Sequence, residues 1–379
     1  MLRFLTAGES HGRGLVVIVD GLPAGVQVLA GDLEAELARR RRGHGRGARM
    51  RIERDEITIL AGVRYGMTTG APVAVVVGNA EWERWQPVLS PEPREHAEPT
   101  TTPRPGHADL AGMMKYDTHD VRDVLERASA RETAARTVVG YTAKSLLRAI
   151  DIEVLSHVVA IGVESAPDVV PEIDDIDRLE ASPVRVLDGA AEQRMLALID
   201  AAHSDRDTLG GVFEVIAHGV PPGVGSYAQW DRRLDGLLAQ AVMSIPGVKA
   251  VEVGDAFVQA QGRGSAAHDE IEPGYSRTSN RAGGIEGGVS NGEPIRVRAA
   301  MKPLSTLMRP LRSVDVATGG PANALRERSD VCAVPPAAVV GEQMVAFILA
   351  QQTLDQFGGS TVADYQRTAG SYRGRLDRF

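Results

Sequence analysis

Residues 104–140 read RPGHADLAGMMKYDTHDVRDVLERASARETAARTVVG, and three devices in this stretch suit the handling of anions. Ser129-Ala130-Arg131-Glu132 is an S-x-x-E capping box, in which a serine hydroxyl and a glutamate carboxylate each satisfy a free backbone N–H at a helix start. The pattern predicts a helix that begins near Ala130 and runs through Val138, Val139 and Leu146 towards Ile150, with apolar positions spaced for one buried face. A helix N-terminus presents unpaired N–H groups and a partial positive charge, and Arg127 and Arg131 flank this one. Upstream, Pro105-Gly106 marks a loop that delivers His107 and Asp109, with Lys115 and Arg122 following. Histidine is the side chain most easily poised to exchange a proton near neutral pH. Taken singly, each device also reads as an ordinary capped helix, a solvated arginine or a structural histidine. Taken together they make His107 a candidate general acid for a reaction that releases an anion.

Composition narrows the class. The chain has 379 residues, enough to bury a large core, yet aromatic residues make up only 4%, so packing falls to Ala, Val, Leu and Ile. Its 41 glycines suggest many tight turns. The net charge of −8 argues against bulk nucleic-acid affinity. Cys332 is the single cysteine, which excludes an intrachain disulfide and a thiolate metal cluster. The N-terminus lacks the apolar core of a signal peptide, and no run reads as a membrane span, so the expectation is a cytoplasmic protein without membrane or metal partners.

Along the chain, Leu2–Thr6 predicts a strand that leads into Gly8-Glu9-Ser10-His11-Gly12, where a serine and a histidine form either a hydroxyl relay or a polar turn. Leu15–Val19 is a second strand, and Asp32 is expected to cap a helix bearing Leu33 and Leu37 and ended by Gly43. Seven arginines (39, 40, 41, 42, 46, 49, 51) follow with glycines among them and no acid. The glycines let guanidinium forks converge into an anion pocket, against the alternatives of a solvated face or a nucleic-acid patch. Ile52–Ala61 and Pro72–Val77 predict strands, and residues 86–105, with six prolines, predict a long loop and candidate lid. Ile152–Ile161 is a further strand, 165–188 a polar excursion whose Asp174, Asp175 and Asp177 lie at the surface, and Val248–Val253 and Pro294–Met301 are strands. Residues 261–292 form a glycine-rich loop, Lys302–Thr306 a loop able to hold a phosphate, and a helix is expected over Ala337–Gln352. The last residues, 370–379, are expected to fray.

Ile18-Val19-Asp20-Gly21-Leu22-Pro23-Ala24-Gly25-Val26 is echoed by Ile216-Ala217-His218-Gly219-Val220-Pro221-Pro222-Gly223-Val224, and each copy precedes a helix with leucines at i, i+4. No linker separates the copies. The pattern predicts two related halves packed into one domain over residues 1–379.

Five motifs in order resemble the chorismate synthase family: 8–12 (GESHG), 45–50 (GRGARM), 106–110 (GHADL), 127–133 (RASARET) and 328–332 (RSDVC). The resemblance implies an α+β fold, a single-domain β-α-β sandwich assembled as a homotetramer. It implies a lyase that removes phosphate and the C6 hydrogen from 5-enolpyruvylshikimate 3-phosphate by anti-1,4-elimination, with reduced FMN and no net redox change. Carried over by motif, His11 donates a proton to the departing phosphate and His107 protonates or steadies the reduced flavin. Ser10, Ser129 and Asp330 form a relay near flavin N5. Arg40, Arg46, Arg49 and Arg131 hold the substrate's phosphate and carboxylates. Arg127, Ala128, Ser129, Pro246, Gly247, Gly287, Lys302, Pro303, Leu304, Ser305, Thr306 and Arg328 contact the flavin. The reductant stays open between NADPH, met by Arg40 and Arg46, and an external flavin reductase. The alternative is a non-catalytic flavin- or anion-binding homologue, which predicts loss of His11, His107 or Asp330; all three are present. Val331, His44 and Gln343 depart from the family's usual residues without removing a catalytic group.

Overall fold

Two antiparallel sheets enclose a layer of helices. The structure is a computed structural model and describes residues 1–47, 55–93, 98–327 and 329–379. The first sheet has strands β1 (Arg3–Ala7), β2 (Gly14–Asp20), β3 (Ile57–Ala61) and β4 (Val73–Gly78) in the order β1-β2-β4-β3. In β2 and β4 the alternation is clean: Leu15, Val17, Val19, Val73, Val75 and Val77 all point inward and are buried. The second sheet has β5 (Glu153–Ile161), β6 (Glu164–Ser165), β7 (Gly211–His218), β8 (Val248–Val253) and β9 (Ile295–Met301) in the order β8-β9-β7-β5-β6.

Helices α1 (Ala30–Arg41), α2 (Trp82–Leu89), α3 (Asp109–Tyr116), α4 (Arg122–Ala128) and α5 (Thr133–Arg148) belong to the first half of the chain. The second half supplies α6 (Gly189–Ser204), α7 (Leu234–Met243), α8 (Val334–Phe357) and α9 (Val362–Leu376). α5 packs on β1, β2 and β4 on one side and on β5 and α8 on the other, while α8 packs on β5, β7 and α7. One cluster of buried apolar side chains therefore runs from Val17 and Val75 through Val138 and Val345 to Val215 and Val297.

Close helix packing needs glycine at two points. A Cβ on Gly140 of α5 would lie 2.1 Å from Gln343 Cβ and 2.5 Å from its Cα, and one on Gly341 would lie 2.5 Å from a Phe213 ring carbon. The two sequence copies occupy equivalent positions: β2 and β7 each end at a left-handed glycine, Gly21 (φ +94°) and Gly219 (φ +79°). A second pair, Gly25 (φ +93°) and Gly223 (φ +96°), precedes α1 and α7.

Several sequence expectations are corrected. The α8 helix spans 24 residues, longer than expected at both ends, because Pro335 and Pro336 are tolerated in its first turn. It is also long and apolar enough to cross a membrane, contrary to the sequence reading, yet 94% of an 18-residue apolar window within it is buried inside the protein. It is the core helix between the sheets. Residues 370–376 belong to α9 rather than a frayed tail, because Tyr365 and Ala369 are buried, the Tyr372 hydroxyl donates to Pro222 O at 2.8 Å and Arg373 Nη2 to Gly219 O at 3.0 Å. Asp32 does not cap α1; it sits in the first turn and accepts from the Tyr141 hydroxyl at 3.1 Å.

The expected loop 86–105 begins inside α2, which tolerates Pro87, and its far end is fixed. Thr100 O accepts from Val121 N, Thr101 O from Val316 N and Thr102 O from Leu325 N. Residues 165–188 contain a short helix, Ile176–Ala181, with Leu179 buried. Asp174, Asp175 and Asp177 lie outside the core, and no metal-holding cluster of His, Cys, Asp or Glu occurs among the described residues.

Candidate active site

The loop between β1 and β2 carries Ser10 and His11, and three contacts shape it. Gly8 adopts φ +105°, where a Cβ would meet Gly14 O at 2.3 Å. The Asn79 amide donates to Gly12 O at 2.9 Å and Ser10 O at 3.3 Å, and Ser10 N donates to Glu126 O at 2.9 Å. Ser10 and His11 are both buried. Ser129 Oγ donates to Ser10 Oγ at 3.0 Å, which joins this loop to the helix start identified in the sequence.

That start is tighter than expected. Residues Ala130–Glu132 form a 3₁₀ turn before α5, and Ser129 Oγ accepts from Arg131 N at 3.3 Å. The reciprocal half of the capping box is absent, because Glu132 instead accepts from Thr6 Oγ1 at 3.1 Å and from Arg136 at 2.9 Å.

Two buried arginines converge here. Arg40 donates from Nε to Thr133 Oγ1 at 2.9 Å and from Nη2 to Ala130 O at 3.1 Å. Arg131 Nη1 lies 2.5 Å from Asp55 Oδ1, and its Nη2 donates to Gly78 O at 3.3 Å. The arginine run does not converge as a whole. Arg39 turns into the core to meet Glu36 and Glu342, and Arg39 and Arg42 both meet Glu180. Arg46 Nη1 lies 2.7 Å from Asp330 Oδ2, and Gly47 N donates to Asp330 Oδ1 at 2.7 Å. Arg49 and Arg328 lie outside the described residues.

His107 sits in a second cluster. Its Nδ1 lies 2.5 Å from Asp109 Oδ1 and 3.0 Å from Arg104 Nη2. Arg104 Nε donates to Asp109 Oδ2 at 2.8 Å, and its Nη1 to Thr306 Oγ1 at 2.9 Å. Burial alone would raise the Asp109 pKa, but the hydrogen bonds and charges of His107 and Arg104 hold it well below the usual carboxylate range. Lys302 Nζ donates to Gly106 O, and Lys302 N to Gly247 O at 2.9 Å, so Pro246-Gly247 and Lys302–Thr306 meet the His107 loop. Burial and the nearby Lys249 lower the Lys302 pKa. Thr208 Oγ1 donates to Leu304 O at 2.8 Å and helps fix the segment; Pro303 is exposed, Ser305 partly buried.

A cavity of about 520 Å³ opens beside these residues, lined by Arg206, Thr208, Thr306, Arg326, Ser329 and Asp330 among others. It joins the Asp330 loop to the Thr306 segment. Arg122 Nη2 donates to Glu327 at 2.8 Å, and its Nη1 to Glu126 at 3.0 Å, which links the same loop to His11.

Three of the expected residues stand apart. Arg127 is exposed and donates to Thr6 O and Gly8 O, bracing the Ser10 loop from outside. Ala128 packs against Met113, Val121, Val124 and Leu125. Gly287 forms the turn of a short hairpin, Ile285–Glu286 with Val289–Ser290, next to residues 224–226. The Cys332 thiol is buried and pushed up to about 11, chiefly by burial, so it is inert at neutral pH.

A family model described as chorismate synthase matches residues 2–354. The chain belongs to the chorismate synthase family. It is 56% identical over 385 residues to chorismate synthase of Salinispora tropica, with 98% of each chain covered. It is 55% identical over 391 residues to that of Thermobifida fusca, covering 100% of this chain and 99% of the relative. A crystal structure of chorismate synthase superposes with a TM-score of 0.81 at 38% identity, covering 100% of this chain and 99% of the other. The α+β sandwich expected from the motifs is thus the family fold, and the chain is a lyase of the shikimate pathway serving aromatic amino acid biosynthesis, a family whose chemistry implies reduced flavin.

Residue reading missed the partners of both histidines. Asp109 stands two positions after His107 and was visible as a neighbour without a role. Glu126 lies 115 positions from His11 and leaves no local signal. Asp55, Asn79 and Trp85 are likewise distant in sequence from the residues they hold.

Proposed function

We propose that this chain converts 5-enolpyruvylshikimate 3-phosphate to chorismate and phosphate by anti-1,4-elimination, with FMN as the reduced flavin. The observation that carries the reading is the meeting of Ser10, His11, Ser129, Arg40 and Arg131 around one helix start. A substrate with two carboxylates and a phosphate needs several fixed cations, and Arg40, Arg46, Arg49 and Arg131 are the proposed set. Asp55 braces Arg131, so the guanidinium is oriented before substrate arrives. As the ring C3–O bond breaks, negative charge grows on the departing phosphate. His11 is the proton donor to it, and its burial keeps competing water away. The proton lost from C6 restores the balance and completes the diene.

The residues present fit a phosphate-bearing flavin. Lys302 supplies an ammonium, Ser305 and Thr306 supply hydroxyls, and the adjoining 520 Å³ cavity falls within the usual range for cofactor sites. Arg127, Ala128, Ser129, Pro246, Gly247, Gly287, Pro303, Leu304 and Arg328 complete the proposed contacts. When bound, the reduced flavin supplies a transient electron and a base at N5, with no net redox change. His107, held by Asp109 and Arg104, carries the proton that steadies its reduced form. Ser10 and Ser129, joined by a hydroxyl contact, and Asp330 are the proposed relay that would serve the flavin when it is bound.

NADPH acting through Arg40 and Arg46 is one source of electrons. An external flavin reductase is the other. Phosphate release is measured anaerobically with dithionite-reduced FMN and aerobically with FMN and NADPH. Turnover in both supports the synthase with self-reduction, turnover with dithionite alone supports an outside reductase, and silence in both with FMN bound contradicts the proposed reaction.

We further propose that residues 1–379 act as one domain, in the cytoplasm, and assemble as a homotetramer. The continuous core supports the first point. The outer face of the first sheet supports assembly, since Leu5, Val16, Ile18 and Leu60 are exposed there. Light scattering that reads the single-chain mass of 40.4 kDa contradicts the tetramer.

A further inference from the structure

Glu126 is buried, at 4% exposure, and both of its carboxylate oxygens face His11. His11 Nδ1 lies 3.0 Å from Oε1 and 3.1 Å from Oε2, and the His11 backbone N–H donates to Oε2 at 2.9 Å. The Glu126 carbonyl takes the Ser10 N–H, so a single residue of α4 holds the ring and the backbone of the loop. The Trp85 ring packs on the imidazole with centroids 4.2 Å apart, and the Arg122 guanidinium lies 4.6 Å from the Trp85 ring. The imidazole is therefore fixed at its edge by a carboxylate and at its face by an indole.

The chemistry of that arrangement is directional. Burial alone would raise the Glu126 pKa, but the hydrogen bond and charge of His11, with Arg122, lower it below the ordinary value, so the carboxylate is ionised at neutral pH. An ionised carboxylate only accepts, and the nitrogen facing it must carry a proton. With Nδ1 committed in this way, Nε2 is the nitrogen through which the ring exchanges a proton with anything else.

We propose that Glu126 is the positioning residue for His11: it keeps the proton on Nδ1 and orients the ring so that Nε2 serves the departing phosphate. This rests on His11 being the proton donor. The link continues through Arg122 to Glu327, so Glu126 also sets the His11 loop against the loop bearing Asp330.

Glu126→Gln separates this role from simple anchoring, because glutamine keeps the volume and one oxygen for the His11 N–H but removes the anion. The expected result is a loss of about 10²-fold in kcat for phosphate release, with KM changed only a few-fold. In ¹⁵N-histidine NMR of the chain without flavin or substrate, the His11 signal, assigned against His11→Asn, shows a protonated Nδ1. That signature weakens in Glu126→Gln and returns in part in Glu126→Asp, together with part of kcat. A folded Glu126→Gln with kcat within twofold of the parent overturns the proposal. So does a loss of kcat with the Nδ1 signature unchanged. If the glutamine variant does not fold, Glu126→Asp carries the same comparison. If the parent releases no phosphate, the assignment of His11 as donor fails, while the Nδ1 signature still decides whether Glu126 fixes the ring.

Discussion

Asp109 illustrates how a motif residue differs from its role. Its place beside His107 was legible in the quoted stretch, but its main load is Arg104, which is buried at 7% exposure and contacts the same carboxylate from both side chain and backbone. Replacing Asp109 with Asn leaves that guanidinium without its counter-charge, and breaking a buried pair in this way costs about 3–5 kcal/mol. The folded pKa of Asp109 is depressed, so its contribution is fully present above the unfolded value of about 4 and is lost as pH falls towards the folded one. Thermal unfolding of the parent and Asp109→Asn should therefore differ most at neutral pH, with the gap narrowing as pH drops below about 4. A constant gap across that window contradicts the ionic account. Glu126 and Asp55 were not legible in advance, because pairing between distant chain segments carries no local pattern.

Elements were read best where apolar runs are unbroken or capping is strong. β2 and β4 are continuous apolar runs located to within a residue, but Pro72–Val77 reads as buried on both faces and only Val73, Val75 and Val77 are buried, while the capping box was half right, because Glu132 is taken by Thr6 and Arg136. The ends of α8 were underestimated and α9 was not read at all, its last turns being taken for a frayed tail, because tertiary packing stabilises helices that local sequence leaves undecided. The α5–α8 crossing depends on Gly140, whose added Cβ would press on the Gln343 backbone. Gly140→Ala should cost about 1–3 kcal/mol, read as a lower Tm, since the helices must part. Gly370 of α9 has nothing within 4 Å of an added Cβ, so Gly370→Ala should be neutral or stabilising by up to about 1 kcal/mol. Equal effects at the two sites contradict the close-packing argument.

At the scale of the whole molecule, the repeat was the most informative signal, and the matching glycine conformations at 21 and 219 and at 25 and 223 give it a physical basis. The order of strands was not readable, since β4 pairs between β2 and β3 and the second sheet interleaves strands from far apart in the chain. Nor was the interior ion network, in which the fully buried Glu342 of α8 meets Arg39 of α1 and Lys144 of α5. That network explains how a helix apolar enough for a bilayer carries a carboxylate in its middle. Sheets, helices and network together bring the described residues of five separated motifs into neighbouring clusters, and the central claim is that these clusters form one elimination site. The decisive measurement is simultaneous quantification of phosphate and chorismate formed from 5-enolpyruvylshikimate 3-phosphate by the purified chain with dithionite-reduced FMN, beside His11→Ala. The account predicts one chorismate per phosphate in the parent and a loss of both products by about 10²-fold or more in the variant. Phosphate without chorismate, or a variant as active as the parent, would contradict it.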